Sequence, residues 1–310
     1  MIIREAKEDD LSSILRVLKA SLGETSSKKT ENVWKYKHID NPFGKSLILL
    51  AEEDNEIIGV RAFMRWQWQK GSKIFHAVRA VDTATHPKHQ GKGVFRKLTL
   101  KALELAEERG EYFVFNTPNS QSKPGYLKMG WREVDKLKIQ LRPLNPFMIN
   151  SSTFDYGVAG NISRSQELIK FYSVSQRATG KFFTPKSLKY LIWRYVDNPL
   201  QQYMVFFDKN YFIAGYVKQR GKISELRISE LIVSTGARKQ AKSVIISMIK
   251  TSGAHILSLA SNDEISFKTS IMGGFGPMLT IKDISLPSED KQEIFDLSRW
   301  NYSIGDLELF

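Results

Sequence analysis

The chain has 310 residues, of which 42% are hydrophobic, 25% charged and 11% aromatic. These proportions are ordinary for a globular protein and exclude intrinsic disorder and collagen-like repeats, while the length predicts about two domains. Because there is no cysteine, disulfide scaffolds, thiolate zinc sites and cysteine nucleophiles are excluded as well. Lysine and arginine number 46 against 33 acidic residues, a net charge of +13, which suits an anionic partner: nucleic acid, a membrane or a phosphorylated small molecule.

The distribution of charged and apolar residues bears on whether the protein is secreted or inserted in a membrane. Charged residues run from Arg4 to Asp10, where a signal peptide would carry its apolar segment. No apolar run approaches the roughly 18 residues that a membrane span requires. We therefore expect a soluble, cytoplasmic protein without membrane association.

The first half, residues 1–142, reads as one α+β domain with a mixed sheet. Asp9 or Asp10 caps a first helix whose apolar face holds Leu11, Ile14 and Leu18. The predicted segments are, in chain order, strand Ile2–Ala6, that first helix, strands Leu47–Glu52, Ile57–Trp66 and Phe75–Thr85, helix Val94–Arg109, strand Tyr112–Asn116, helix Pro124–Met129 and strands within Trp131–Leu141.

The second half repeats this order of elements. Prolines and a polar stretch predict a linker over residues 143–162, and residues 163–310 form the second predicted domain. Its segments are helices Gln166–Gln176 and Pro185–Tyr195, strands Tyr203–Phe207, Tyr211–Lys218 and Ile223–Val233, helix Ala237–Lys250, strand His255–Ala260, helix Ile265–Met272 and strand Met278–Ile284. The C-terminal segment from Trp300 to Glu308 is predicted to pack as a tail.

A short phrase also recurs in the two halves. Trp34-Lys35-Tyr36 with Asn41-Pro42 returns as Trp193-Arg194-Tyr195 with Asn198-Pro199, each before the first strand of its meander. Taken alone, such residues pack an aromatic helix end that Asn-Pro terminates. Together with the shared order of elements they indicate an internal duplication.

The most informative segment is residues 81–98, where a strand ends and a glycine-containing turn enters a helix. Such a turn presents unpaired amide groups at the positive end of a helix, which suits a pyrophosphate. Its spacing fits neither a nucleotide-triphosphate loop nor a dinucleotide fingerprint. The candidate ligand-binding residues of this turn are Gln90, Gly91, Lys92, Gly93, Val94 and Phe95, with Lys88, Arg96 and Lys97 adding positive charge.

Gln90-x-x-Gly93 after Ala-Thr-His-Pro resembles the acetyl-CoA loop of the GNAT N-acetyltransferases, most of all the tandem-GNAT enzymes of the enhanced-intracellular-survival type. The family pattern is Gln/Arg-x-x-Gly-x-Gly/Ala, so Phe95 is a departure, and its side chain must point away from the cofactor. A second segment, from Asn119 through Gly125-Tyr126-Leu127-Lys128-Met129-Gly130, resembles the family's Asn…Tyr-x-Lys-x-Gly-Phe segment.

The resemblance implies a role for each of these residues. Acetyl-CoA would be held at Ala84 and Thr85 along its pantetheine arm, by the amides of residues 91–95 at its pyrophosphate, and by Asn119. Tyr126 is the candidate general acid, since a phenol can protonate a departing thiolate; a merely packed tyrosine is the alternative. Asp82 is the candidate base or amine binder, or else a structural carboxylate. The histidines near this strand lack metal spacing, and no metal is expected.

The expected fold is α+β, with two tandem GNAT-like domains, each a central mixed β-sheet flanked by helices. The second copy lacks the loop spacing and the tyrosine, so it is interpreted as a degenerate domain that lines a substrate cleft or an interface. The expected activity is direct acetyl transfer, in a ternary complex, to a primary amine of a small substrate, such as an amino sugar or nucleotide-linked amine. The alternatives are a catalytically degenerate basic binding protein and an aminoacyl-tRNA-dependent transferase, although no RNA-reading motif is visible. The sequence leaves the oligomeric state open.

Overall fold

The computed structural model describes residues 1–24, 28–145, 165–261 and 265–308. Most of the predicted linker, residues 146–162, lies outside the described residues. The first half contains β1 (Ile2–Glu5), α1 (Leu11–Leu22), α2 (Glu31–His38), β2 (Leu47–Glu53), β3 (Glu56–Lys70), β4 (Lys73–Thr85), α3 (Val94–Glu108), β5 (Phe113–Asn116), α4 (Lys123–Lys128), β6 (Arg132–Lys136) and β7 (Ile139–Pro143). The predicted strands and helices of this half are confirmed, and α2 is the helix whose end the Trp34-Lys35-Tyr36 phrase predicts.

The second half contains α5 (Gln166–Ala178), β8 (Phe182–Phe183), α6 (Leu188–Tyr195), β9 (Met204–Phe207), β10 (Tyr211–Arg220), β11 (Ile223–Val233), α7 (Arg238–Ser252), β12 (Ile256–Ala260), β13 (Ile271–Gly273), β14 (Met278–Asp283), α8 (Ser288–Lys291), β15 (Trp300–Asn301) and α9 (Ile304–Leu307). One prediction here is wrong: Ile265–Met272 is not a helix. Residues 265–270 form no helix or strand and contain one turn at Lys268 and Thr269, and β13 begins at Ile271 because its backbone pairs with β7.

Two mixed sheets form the framework of the molecule. The first has the order β1-β2-β3-β4-β5-β14-β6, and the second β13-β7-β12-β11-β10-β9. Along these two orders only β4–β5 and β11–β12 pair in parallel. The predicted α+β class with a mixed sheet in each half is therefore confirmed.

The two sheets exchange strands. β14, from the second half, lies between β5 and β6 of the first sheet, and β7, from the first half, lies between β12 and β13 of the second. The predicted domain boundary at residue 142 stays a prediction, but the sheets themselves do not separate there. Each sheet is complete only when both halves of the chain are present.

The repeated Trp-x-Tyr phrase lies at one contact between the halves. The rings of Tyr36 and Trp193 stack with centroids 5.0 Å apart, and the Trp193 indole N–H donates to the Tyr36 carbonyl at 2.9 Å. Asn41 and Asn198 each accept the amide of the residue two positions on, so both phrases end in the same turn. The duplicated helix ends α2 and α6 thus pack against each other.

The helices divide the core of the first sheet into two layers. Helix α3 covers one face, where Val94, Leu98 and Ala102 pack with Phe63 and Val114. The second half covers the opposite face, where aromatic side chains meet; Trp66, Trp68 and Phe115 of the first half pack there with Tyr190 and Trp300. The first sheet is therefore buried on both sides.

The C-terminal segment is packed, as predicted, and it carries a buried polar network. Asp306 is fully buried and accepts from Lys186 and from the Tyr190 hydroxyl, while Lys186 also donates to Glu230. The carbonyl of Leu307 accepts from Arg79 of β4 at 2.7 Å. The end of the described chain therefore ties the two halves together beside the parallel strands of the first sheet.

Candidate functional site

The parallel pairing of β4 with β5 in the first sheet is short. β4 and β5 pair through Ala77–Phe113, Val78–Val114 and Arg79–Phe115. Beyond Arg79, β4 continues to Thr85 while β5 ends at Asn116, and no further β4–β5 pair forms. Residues 80–85 of β4, including the predicted Ala84 and Thr85, therefore have no paired strand on this side, and this edge is called the cleft below.

A β-bulge shapes the β4 side of this cleft. Val60 pairs with Ala84 and Ala62 with Val81, so Arg61 of β3 stands opposite two residues, Asp82 and Thr83. Asp82 has φ +41°, a left-handed conformation that costs a non-glycine residue roughly 1–2 kcal/mol. Contacts of its side chain hold it there.

The Asp82 carboxylate is bonded to two side chains at the end of α2. It contacts the buried Lys37 ammonium, and the fully buried His38 ring bonds to it through Nε2 at 3.0 Å. The other ring nitrogen of His38 lies 2.9 Å from the Ser46 hydroxyl. Burial alone would raise the pKa of Asp82, but Lys37 and His38 together hold it well below its usual range. Such a carboxylate is a weak base. These contacts favour the structural interpretation of Asp82, and its catalytic role stays a prediction.

Replacing Asp82 with asparagine is expected to lower the free energy of unfolding at neutral pH by about 1–3 kcal/mol, because Lys37 and His38 lose a charged partner. The pKa of Asp82 is lowered in the folded state, so its stabilisation is present above roughly pH 4, the unfolded value, and is lost as pH falls through the folded value. Denaturant unfolding should therefore show the gap between wild type and variant closing below about pH 4.

Asp54→Asn serves as the matched control, since Asp54 is an exposed aspartate with a similar φ of +52°. It should leave the stability nearly unchanged at every pH. If Asp82 is instead the catalytic base, Asp82→Asn will remove the acid limb of the pH profile of kcat/KM, which is the outcome that would contradict a structural role.

The turn before α3 presents a row of unused amides. Gly91 and Gly93 have φ +77° and +75°, and the first hydrogen bond of α3 runs from the Lys97 amide to the Gly93 carbonyl. Within the described residues, no hydrogen bond uses the amides of residues 91–96. A Cβ at Gly91 or Gly93 would meet no atom within 4 Å, so the space above them is open. With exposed lysines around it, this turn can hold a pyrophosphate.

The turn is fixed to the sheet by its neighbours. The Gln90 side-chain amide donates to the Thr85 carbonyl at 3.4 Å, which joins the turn to the end of β4. Val94 is buried against Gly59 of β3, where a Cβ would lie only 2.6 Å from a Val94 methyl group. Lys92 contacts Glu53 at 3.4 Å. The start of α3 is therefore held close against the strands that border the cleft.

Phe95 connects this turn to Tyr126. Its ring meets the Tyr126 ring edge to face, with centroids 5.4 Å apart, and a Cβ at Gly125 would come within 3.0 Å of it. The glycine of the Gly-Tyr pair thus makes room for the phenylalanine that departs from the family pattern. Asn119 accepts from the amide and hydroxyl of Ser122, both at 2.9 Å, so its side-chain oxygen is used locally ahead of α4.

Tyr126 is buried, and its hydroxyl oxygen accepts from Arg61 Nη1 at 2.7 Å. The same nitrogen donates to the Thr83 hydroxyl at 2.6 Å, which places the phenol beside the bulge. Arg61 itself is fully buried, and its Nε and Nη2 have no hydrogen-bond partner among the described residues. Because Arg61 donates to the phenol oxygen, the Tyr126 proton is free to point elsewhere, which is what a general acid needs.

The structure therefore brings most of the predicted residues to one end of the first sheet. The sequence analysis missed Arg61, Lys37 and His38. Arg61 had a signal, since it is an arginine within an apolar strand, and a buried arginine normally has a reason. Lys37 and His38 gave no such signal, because their partner Asp82 lies 44 residues beyond His38.

The described residues lack two further kinds of feature, a metal-binding cluster and a membrane-spanning helix. They hold no group of three or more histidines, aspartates and glutamates arranged to bind a metal ion. None of their helices has the length and hydropathy needed to cross a membrane.

Comparison with known proteins agrees with this geometry. A family model described as an acetyltransferase (GNAT) domain matches residues 2–134. The resemblance of the N-terminal part of the chain to the GNAT acetyltransferases, stated from the motifs, is therefore confirmed. A search of curated proteins finds no match.

Solved structures match across nearly the whole chain. A GCN5-related N-acetyltransferase from Anabaena variabilis is 12% identical, with a TM-score of 0.64, over 92% of this chain and 73% of that one. One from Kribbella flavida is 14% identical, with a TM-score of 0.63, over 91% and 70%. Eis1 from Mycobacterium abscessus is 12% identical, with a TM-score of 0.59, over 92% and 74%. At these identities the matches show the fold, which extends beyond the family-model region into the second half.

Proposed function

We propose that the protein transfers an acetyl group from acetyl-CoA to a primary amine of a small substrate, by direct attack in a ternary complex. The observation that carries this proposal is the juxtaposition of an unused amide row, at residues 91–96, with Tyr126, joined through Phe95. The strand cleft between β4 and β5 lies beside both. These features fit a long ligand with a pyrophosphate at one end and a reactive group at the other.

Different residues of the chain would bind the cofactor and transfer protons. The amides of Gly91 to Phe95 would hold the pyrophosphate, Ala84 and Thr85 would border the pantetheine arm, and Asn119 would contact the cofactor. Acetyl-CoA supplies the activated acetyl group as a thioester. Tyr126 would hold a proton at its hydroxyl for the leaving sulfur, with Arg61 fixing the phenol oxygen. The amine would lose its proton to water or, if the prediction for Asp82 is right, to that carboxylate.

The acceptor and the cellular setting are parts of the same proposal. We propose a small amine as the acceptor, with amino sugars and nucleotide-linked amines as the first compounds to screen. The second half is assigned a supporting role, as a degenerate copy that lines the substrate cleft. A cytoplasmic location, predicted from the N-terminal charges, stays a prediction.

An acceptor screen that measures CoA release tests the proposal. Because the chain has no cysteine, a thiol reagent reports released CoA without any signal from the protein. Turnover with at least one amine, together with acetyl-CoA binding by calorimetry, is the expected result. No acetyl-CoA binding combined with tight, salt-dependent RNA binding would overturn it in favour of the RNA-dependent or non-catalytic alternatives.

A further inference from the structure

A cavity of about 400 Å³ lies on the face of the second sheet that is turned toward the C-terminal segment. Strands β7, β10, β11 and β12 supply one wall, and Thr117 and the loop at Phe275–Pro277 supply another. Much of its lining is aliphatic: Leu137, Ile139, Leu141, Ile223, Ile256 and Leu307. Its volume and lining are typical of a site for a small organic molecule.

The acidic groups that line the cavity already have cationic partners. Glu225 pairs with Arg220 and with Arg227, each at 2.8 Å. Glu308 pairs with the other terminal nitrogen of Arg227 at 2.9 Å. The two carboxylates are therefore compensated by the two arginines, and neither is left to attract a cationic ligand.

Of the cations that line the cavity, Lys218 differs from the two arginines just described. It lines the cavity, is half-buried, and makes no hydrogen bond or ion pair with any residue in the described ranges. Burial lowers the pKa of its amine, and the neighbouring Arg227 lowers it further. The hydroxyl of Thr117, another lining residue, is buried and also lacks a hydrogen-bond partner there. Glu308 and Glu225 act on this ammonium electrostatically but are bonded to Arg227, so an anionic ligand that pairs with Lys218 directly would relieve the cost of its burial.

The cavity adjoins the cleft between β4 and β5. Thr117 directly follows Asn116, the last residue of β5. Leu307, on the opposite side of the cavity, accepts through its carbonyl from Arg79, which belongs to the last β4–β5 pair. Helix α3 lies across the first sheet from the second half. An acceptor in the cavity would thus approach the cleft from the side opposite α3.

We propose that this cavity binds the acyl acceptor, and that the acceptor is an amine with an apolar body and a carboxylate that pairs with Lys218 and Thr117. This inference rests on the proposed function, because it names the class of amine that the same site uses. The inference distinguishes acceptors by their charge, because an amine without an anionic group gives Lys218 no direct partner.

Two measurements test it. The first compares acetylation of ω-amino carboxylates, from β-alanine to ε-aminocaproate, with that of the alkylamines of equal chain length, by CoA release. We expect kcat/KM to favour the best carboxylate over its alkylamine by about tenfold or more, since the added contact is a charge-assisted hydrogen bond. Lys218→Met should remove that preference. Lys222→Met, at the exposed β10–β11 turn, is the matched control and should keep it.

The second measurement needs no turnover. Ligand-observed NMR compares binding of phenylbutyrate with that of its neutral counterpart phenylbutanol. We expect the acid to bind more tightly to wild type and to Lys222→Met, and about tenfold less tightly to Lys218→Met. Methionine keeps the length and apolar stem of lysine, and Lys218 makes no hydrogen bond or ion pair within the described ranges, so the variant should fold.

The outcomes separate the two proposals. Selective phenylbutyrate binding that depends on Lys218, without acetylation of any amine, supports an anion site and overturns the proposed function. Acetylation with no preference between carboxylates and alkylamines, and no effect of Lys218→Met, overturns the inference and leaves the proposed function standing. If no amine is acetylated and phenylbutyrate shows no binding that depends on Lys218, both the inference and the proposed function are overturned.

Discussion

Replacing Gly93 with glutamate is expected to abolish acetyl-CoA binding. Gly93 lies within the unused amide row, so a carboxylate there would compete for the amides and repel the pyrophosphate. Loss of two or more charge-assisted hydrogen bonds, at about 1.5–3 kcal/mol each, corresponds to at least a hundredfold loss of affinity. The variant should still fold, because the new side chain enters open space and only the left-handed backbone adds a cost of roughly 1–2 kcal/mol.

The matched control lies at the other end of the same helix. Gly110 has φ +73° and equally open surroundings, so Gly110→Glu carries the same backbone cost far from the cofactor turn. Calorimetric titration with acetyl-CoA, beside thermal melts of both variants, separates binding from stability. Wild-type affinity in Gly93→Glu would show that the turn before α3 does not hold the cofactor.

Replacing Tyr126 with phenylalanine is expected to lower kcat by about 10²–10⁴-fold, the usual contribution of a general acid. Acetyl-CoA affinity should change little, because the ring still packs against Phe95 and Trp131. The Arg61 nitrogen that donates to the phenol would keep only Thr83 as a partner, so a stability loss of about 1 kcal/mol should accompany the change.

Steady-state kinetics provide the measurement. In Tyr126→Phe, kcat should fall while the KM for acetyl-CoA stays near the wild-type value, a split that a merely structural tyrosine would not cause. Tyr112→Phe is the control: this tyrosine lies just before β5, and its hydroxyl makes no hydrogen bond to the described residues. An unaltered kcat would remove Tyr126 from the mechanism.

The individual strands and helices of this fold could be predicted because each is encoded by residues close together in the sequence. Apolar periodicity, turn residues and glycines gave the strands and helices of the first half within a few residues, and the turn before α3 followed from Gln90-x-x-Gly93. The exchange of β7 and β14 could not be predicted in this way. Strand pairing between residues more than a hundred positions apart leaves no trace in the hydropathy of either strand.

In the candidate site, too, residues of short motifs could be predicted and residues that act through long-range contacts could not. Tyr126 and Gly93 belong to short motifs, whereas Arg61 acts through a hydrogen bond to a residue 65 positions away. Asp82 of the bulge bonds to Lys37 and His38, and the sequence does not reveal that the end of α2 lies beside this strand. The wrong helix at Ile265–Met272 has a related cause, since pairing with β7 overrides the local preference at Ile271.

The strand exchange has a consequence for how the chain is made. As the chain leaves the ribosome, the first sheet lacks an interior strand until β14 emerges, although its strands β1 to β6 have all appeared by residue 136. The nascent first half therefore cannot close its sheet alone, and separate expression of residues 1–142 should yield an aggregation-prone chain. A protease cut between residues 145 and 165 should, by contrast, leave two fragments that remain associated, because each holds a strand of the other's sheet.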